Sequence, residues 1–191
     1  MSLADLLTEV RACTECADHL PHGVRPVMQA GSGAGVIVIG QAPGRRVHES
    51  GVPWDDPSGT RLRDWLGVDD ETFYDPESVA ILPMGFCYPG TGSSGDHPPR
   101  PECAPLWHDR VLAHLREDAL RVVIGMYAQK RYLPDRSDTL TATVQRWDEY
   151  LPDVIPLPHP SPRNQRWLRR NPWFDAEVVP ALRARVAEAI G

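Results

Sequence analysis

The stretch Val36-Ile37-Val38-Ile39-Gly40-Gln41-Ala42-Pro43-Gly44 decides the fold class. Four β-branched residues in a row show no polar alternation, so the strand they predict is covered on both faces, as in a parallel sheet packed between helices. Gly40 ends the run, and Gln41 to Gly44 form a loop at the strand's carboxyl end. Upstream, Leu3, Leu6, Leu7 and Val10 recur at helical spacing over Leu3 to Ala12. Downstream, Ser58-Gly59 opens a helix with Leu62, Trp65 and Leu66 on one side, which Gly67 stops. Further strands are expected at Val79 to Leu82, Arg121 to Ile124 and Asp153 to Leu157, with helices at Leu106 to Leu115, Thr139 to Tyr150 and about Ala176 to Ala189. This alternation predicts an α/β fold: three α/β/α layers around a central, mainly parallel four-stranded sheet with right-handed crossovers. Such sheets bind ligands beyond the carboxyl ends of their strands. Gly40 to Gly44 and the later loop His159-Pro160-Ser161-Pro162-Arg163-Asn164 both follow strands, so they are expected to face one crevice.

At 191 residues the chain is expected to form one domain over 1–191. No apolar run approaches the length of a membrane span. Twenty prolines and fifteen glycines imply long ordered loops rather than a helical bundle. A formal net charge of -6 argues against a nonspecific nucleic-acid binder. Locally the balance differs: Arg163, Arg166, Arg169 and Arg170 lie together with no acid between them, and Arg45-Arg46 form a second basic pair, enough for a phosphate-binding rim.

The whole thiol complement is Cys13, Cys16, Cys87 and Cys103. A CxxC pair turns two thiolates toward one centre, and two later cysteines close the cage from elsewhere in the fold. Residues 1–10 are acidic at Asp5 and Glu9 and lack the apolar core of a signal peptide, so a cytoplasmic location is expected, where disulfides are rare. An iron-sulfur cluster is the leading reading. Structural zinc is the alternative, although its sites favour two close pairs and fifteen residues separate Cys87 from Cys103.

The glycine-rich turn Gly40 to Gly44 is a weak signal alone, and the GxGxxG fingerprint is absent. His159 to Asn164 is more specific, because two prolines around Ser161 build a rigid ledge that fixes the direction of His159 and Arg163. Taken in order, the strand with GQAPG, then GVPWDDPSG at 51–59, then HPSPRN resembles the uracil-DNA glycosylase superfamily. The resemblance runs from Cys13 to the last helix. The cysteine spacing is similar to the iron-sulfur branch with its GEAPG motif, while Arg163-Asn164 after HPSP resembles the single-strand-selective branch.

The resemblance implies a fold that flips a base out of DNA and cleaves its N-glycosidic bond. It implies that His159 donates a hydrogen bond to the base as negative charge grows there. Trp54 then stands where an aromatic residue stacks on the base, and Gln41 and Ala42 are expected to contact it. Arg163 is placed as a wedge into the gap, with Arg166, Arg169 and Arg170 holding the backbone and Asn164 at the base. The four cysteines are implied as ligands of a 4Fe-4S cluster that orders the loop from Tyr88 to Pro101.

Two departures stand out. Ala42 and Val47 occupy positions where branches of the superfamily carry acids, which leaves Glu49, Asp55, Asp56 or His48 to handle water. Pro83 stands four residues before Cys87, where the superfamily it resembles usually carries an asparagine that reads the base, so reading is expected from backbone carbonyls, the next amides at Met84 and Gly85, or a residue from elsewhere. Lys130 is the only lysine and is expected in a loop far from both motifs, which argues against a Schiff-base lyase. The expected function is a monofunctional glycosylase for uracil or a related deaminated base in DNA, acting as a monomer. The alternative is a catalytically weak or inactive protein of the same fold that binds damaged or single-stranded DNA.

Overall fold

The computed structural model describes residues 1–191. Helix α1 (Leu3–Arg11) precedes strand β1 (Val36–Ile39), followed by α2 (Arg45–Ser50), α3 (Pro57–Leu66), α4 (Asp70–Tyr74) and β2 (Val79–Ile81). A small hairpin, β3 (Thr91–Gly92) and β4 (Gly95–Asp96), leads to α5 (Cys103–Leu112), β5 (Leu120–Ile124), α6 (Gly125–Tyr132) and α7 (Leu140–Gln145). Strand β6 (Val154–Leu157), α8 (Gln165–Arg170) and α9 (Val179–Ile190) complete the chain.

The central sheet has four strands in the order β2-β1-β5-β6, and every pairing is parallel. Strand period explains its two covered faces. Val36 and Val38 pack on one side with Leu62, Trp65 and Leu66 of α3 and Leu182 and Val186 of α9. Ile37 and Ile39 pack on the other with Leu6, Leu7 and Val10 of α1 and Trp107 and Val111 of α5. Three layers follow, as the β-branched run requires. Chain direction reverses its sideways progress at β1, since β2 lies on one flank and β5 on the other, which is where such sheets open a crevice.

Several boundaries differ from the sequence expectation. Lys130 lies inside α6, not in a loop, because Gly125 at φ +80° turns the chain directly from β5 into that helix. The expected helix over Thr139 to Tyr150 breaks into α7 and a 3-10 turn at Trp147–Tyr150. Helix α5 begins at Cys103, ahead of the apolar periodicity that first signals it. Phe174–Val178 forms a π-helical turn ahead of α9. No helix is long and apolar enough to cross a membrane.

Candidate active site

Strand β6 ends at Leu157 and delivers His159 into a loop braced by several hydrogen bonds. Asn164 Nδ2 donates to the His159 carbonyl at 2.7 Å, and Arg61 Nη1 on α3 donates to the carbonyls of Pro160 and Ser161 at 3.4 and 3.3 Å. The Ser161 N–H donates to His159 Nδ1 at 3.1 Å. A backbone N–H only donates, so Nδ1 is an acceptor and the neutral ring carries its proton on Nε2. Nε2 makes no hydrogen bond within the protein and is not sealed from solvent. Burial lowers the pKa of His159, while the charges of Asp56 and Asp96 act in the opposite direction.

Across from His159 lies Trp54, with ring centroids 5.6 Å apart and planes at 34°. Trp54 is the only non-glycine residue with positive φ, at +55°. A bulky residue there is strained, and such strain persists only where the surroundings hold it. The surroundings here are two glycines. A methyl group on Gly40 would come 2.9 Å from Trp54 Cζ2, and one on Gly59 would overlap the Trp54 carbonyl. Asp56 caps α3 by accepting the Gly59 N–H at 2.8 Å, which fixes the turn between the indole and the helix.

These groups surround a cavity of about 310 Å³ at the carboxyl ends of the strands. Of the residues expected to form the site, Gln41, Ala42, Trp54, His159 and Arg163 line it. Val47 lines it too, so the cavity wall is apolar at both Ala42 and Val47. His48 is not among the lining residues. Its Nε2 donates to the His22 carbonyl at 3.2 Å and its ring lies 5.8 Å from that of Tyr88. Asn164 clamps the loop instead of reaching the cavity. Arg166, Arg169 and Arg170 are exposed on α8, which begins two residues after Arg163, and none of them lines the cavity.

The expectation for Met84 and Gly85 needs correction. Their amides are engaged: Met84 N–H donates to the Gly40 carbonyl at 2.9 Å and Gly85 N–H to the Gln41 carbonyl at 3.0 Å. Neither residue lines the cavity. The Pro83 carbonyl accepts from His108 Nε2 at 3.0 Å. This segment therefore holds the Gly40–Gly44 loop in place instead of offering donors to a ligand.

A sequence model described as Uracil DNA glycosylase superfamily matches residues 28–183. The chain belongs to that superfamily. Its members are DNA glycosylases, hydrolases that act on DNA, and the match spans both cavity loops, Cys87 and Cys103, while Cys13 and Cys16 precede it.

Outside the cavity, all four cysteines line a second pocket, walled by apolar groups such as Leu20, Phe86 and Trp107. None is in a disulfide. The Phe86 N–H donates to Cys103 Sγ at 3.3 Å. Burial pushes the Cys87 thiol up to about 11 and the Cys103 thiol up to about 12, so both stay protonated unless a cationic centre offsets the cost of burying a thiolate. No three ligating side chains converge on one metal-ion position.

One cavity group escaped the sequence reading: Asp96, on β4. Its Oδ1 accepts from Thr91 Oγ1 at 2.7 Å across the hairpin, and Thr91 Oγ1 is 2.5 Å from the Tyr88 hydroxyl. Glycines flanking Ser93-Ser94 were the available signal, since two residues between short extended segments mark a tight hairpin.

Proposed function

We propose that this member of the superfamily hydrolyses the N-glycosidic bond of uracil, or a related deaminated base, flipped out of DNA. The observation that carries the reading is His159, fixed by Ser161 with Nε2 free as a donor, opposite the Trp54 ring in a cavity. The base enters between stacking ring and donor. As the glycosidic bond breaks, negative charge collects on the base, and a preorganised N–H meets that charge without reorganisation. Arg163 stands at the mouth, where a guanidinium fills the gap in the duplex and meets phosphate. Water is the acceptor of the sugar. Lys130 lies on α6 against a separate surface groove, which supports a monofunctional enzyme over a lysine-dependent lyase.

The cysteine pocket supports a 4Fe-4S cluster held by Cys13, Cys16, Cys87 and Cys103. The four thiols line one apolar pocket, and a CxxC pair with two later, widely spaced cysteines suits an iron-sulfur cage better than the two close pairs of a structural zinc site. When bound, the cluster would supply thiolate ligation that ties α1 to the base of α5. Its role here is structural: Cys87 and Cys103 bracket the segment that carries the β3-β4 hairpin.

The test is base release. Pure protein is incubated with single- and double-stranded oligonucleotides containing uracil, hypoxanthine or xanthine, then treated with alkali. Strand scission only after alkali is the expected result. Binding to these DNAs without scission would instead establish a glycosylase-fold binding protein, the reading favoured by the apolar Ala42 and Val47.

A further inference from the structure

We propose that Asp96, presented by the β3-β4 hairpin, is the carboxylate that activates the attacking water. This rests on the glycosylase reading and supplies the acid that Ala42 and Val47 do not. Three observations support it.

The first is placement. Buried Val27, Ile81 and Pro83 line the inner part of the cavity, whereas exposed Asp96 and Arg163 lie at its mouth. A flipped base fills the inner part, so its sugar stays at the level of Asp96. A methyl group on Gly44 would sit 3.6 Å from Asp96 Oδ2, and one on Gly95 would sit 3.0 Å from Arg163 Nη1, which sets the carboxylate between the Gly40–Gly44 loop and the arginine at the mouth.

The second is orientation. Oδ1 is anchored by Thr91 Oγ1, while Oδ2 makes no hydrogen bond to the protein and is free to accept from water. An anchored carboxylate with one open oxygen is the arrangement a general base needs.

The third is elimination among the acids. Asp56 also lines the cavity and likewise keeps one oxygen open, but it stands in the turn beside Trp54 as the cap of α3, whereas Asp96 is presented by the exposed hairpin at the mouth, at the level of the sugar. Glu49 and Asp55 do not line it, and His48 bonds to His22 behind the loop. Asp96 also acts on the site electrostatically, as one of the two charges that favour the protonated form of His159.

The step balances. The water oxygen forms a bond to C1′, and the C1′–N bond breaks with its electron pair leaving on the base. A proton from the water passes to Asp96 Oδ2 and then to solvent, while the His159 Nε2–H holds the departing anion.

Single-turnover base release from a uracil oligonucleotide, measured beside DNA affinity, tests this. Asp96→Asn is expected to lower the rate by about 10²-fold or more, the usual range for a lost general base, with affinity unchanged. Thr91→Val keeps the carboxylate but removes its anchor, so a smaller loss in rate with no change in affinity is expected. A wild-type rate in Asp96→Asn, or a greater loss in Asp56→Asn than in Asp96→Asn, overturns the assignment while leaving the glycosylase reading intact. No base release by the wild-type protein on any substrate overturns both.

Discussion

The Ser161 N–H and His159 Nδ1 form a 3.1 Å hydrogen bond between residues two apart in one rigid loop. The donor thereby dictates the tautomer of the ring. On the proposed function His159→Ala removes the N–H that meets the leaving base, so the single-turnover rate is expected to fall about 10²- to 10³-fold. Affinity for uracil-containing DNA changes little, because the interaction strengthens only as charge develops. Equal losses in rate and affinity would assign His159 to binding alone.

Trp54 is expected to act earlier, on capture of the flipped base. Trp54→Ala weakens binding to a uracil oligonucleotide by about 1–3 kcal/mol, the usual value of base–aromatic stacking. Trp54→Phe retains most of it. A titration comparing uracil and undamaged oligonucleotides separates this from general DNA affinity, which the variants leave intact.

For the cysteines, protein purified without oxygen is expected to contain iron and inorganic sulfide in equal amounts. Cys103→Ser abolishes both and lowers the melting temperature, since α5 starts at that residue. Zinc in stoichiometric amount, with no iron, would establish the other metal.

His108 gives the fold a defined acid sensitivity. It is fully buried, its Nε2 donates to Pro83, and its Nδ1 is 2.6 Å from the Tyr132 hydroxyl, so both nitrogens are engaged in the neutral form. Burial lowers its pKa from 6.5 to about 4. The unfolded chain therefore binds a proton that the folded one refuses, and stability rises with pH across that interval. The contribution is complete above about pH 6.5 and is lost as pH falls toward about 4. Its size is about 3 kcal/mol, from 1.36 kcal/mol per pKa unit. Denaturant melts of wild type and His108→Gln across this range check it, and the variant's slope with pH should be the shallower.

The exposed arginines on α8 make a salt prediction. Replacing Arg166, Arg169 or Arg170 by alanine is expected to reduce the slope of log affinity against log salt by about one for each phosphate contact removed. The loss should be the same for damaged and undamaged DNA.

The sheet was readable because its signal is local: an unbroken β-branched run such as 36–39 has few alternatives to a doubly covered strand. The two loops after β1 and β6 followed from that placement. Asp96 was not readable, since its relevance depends on a hairpin that folds back across the cavity, and two-residue strands carry no periodicity. The amides of Met84 and Gly85 were misjudged for a related reason. Sequence shows that a donor exists, but only the packed loop shows that Gly40 and Gln41 already hold it.

Those engaged amides have a consequence for how a lesion is found. On the proposed function, a cavity with no free amide from the 83–85 segment reads its guest with fewer fixed donors, chiefly His159 and Gln41, and such a site admits more than one kind of base. On the proposed function, discrimination passes to the duplex, where a mispaired or damaged nucleotide costs less to extrude than one held by a full set of Watson–Crick bonds. The stability of the base pair then acts as the gatekeeper, and the enzyme samples whatever the helix releases.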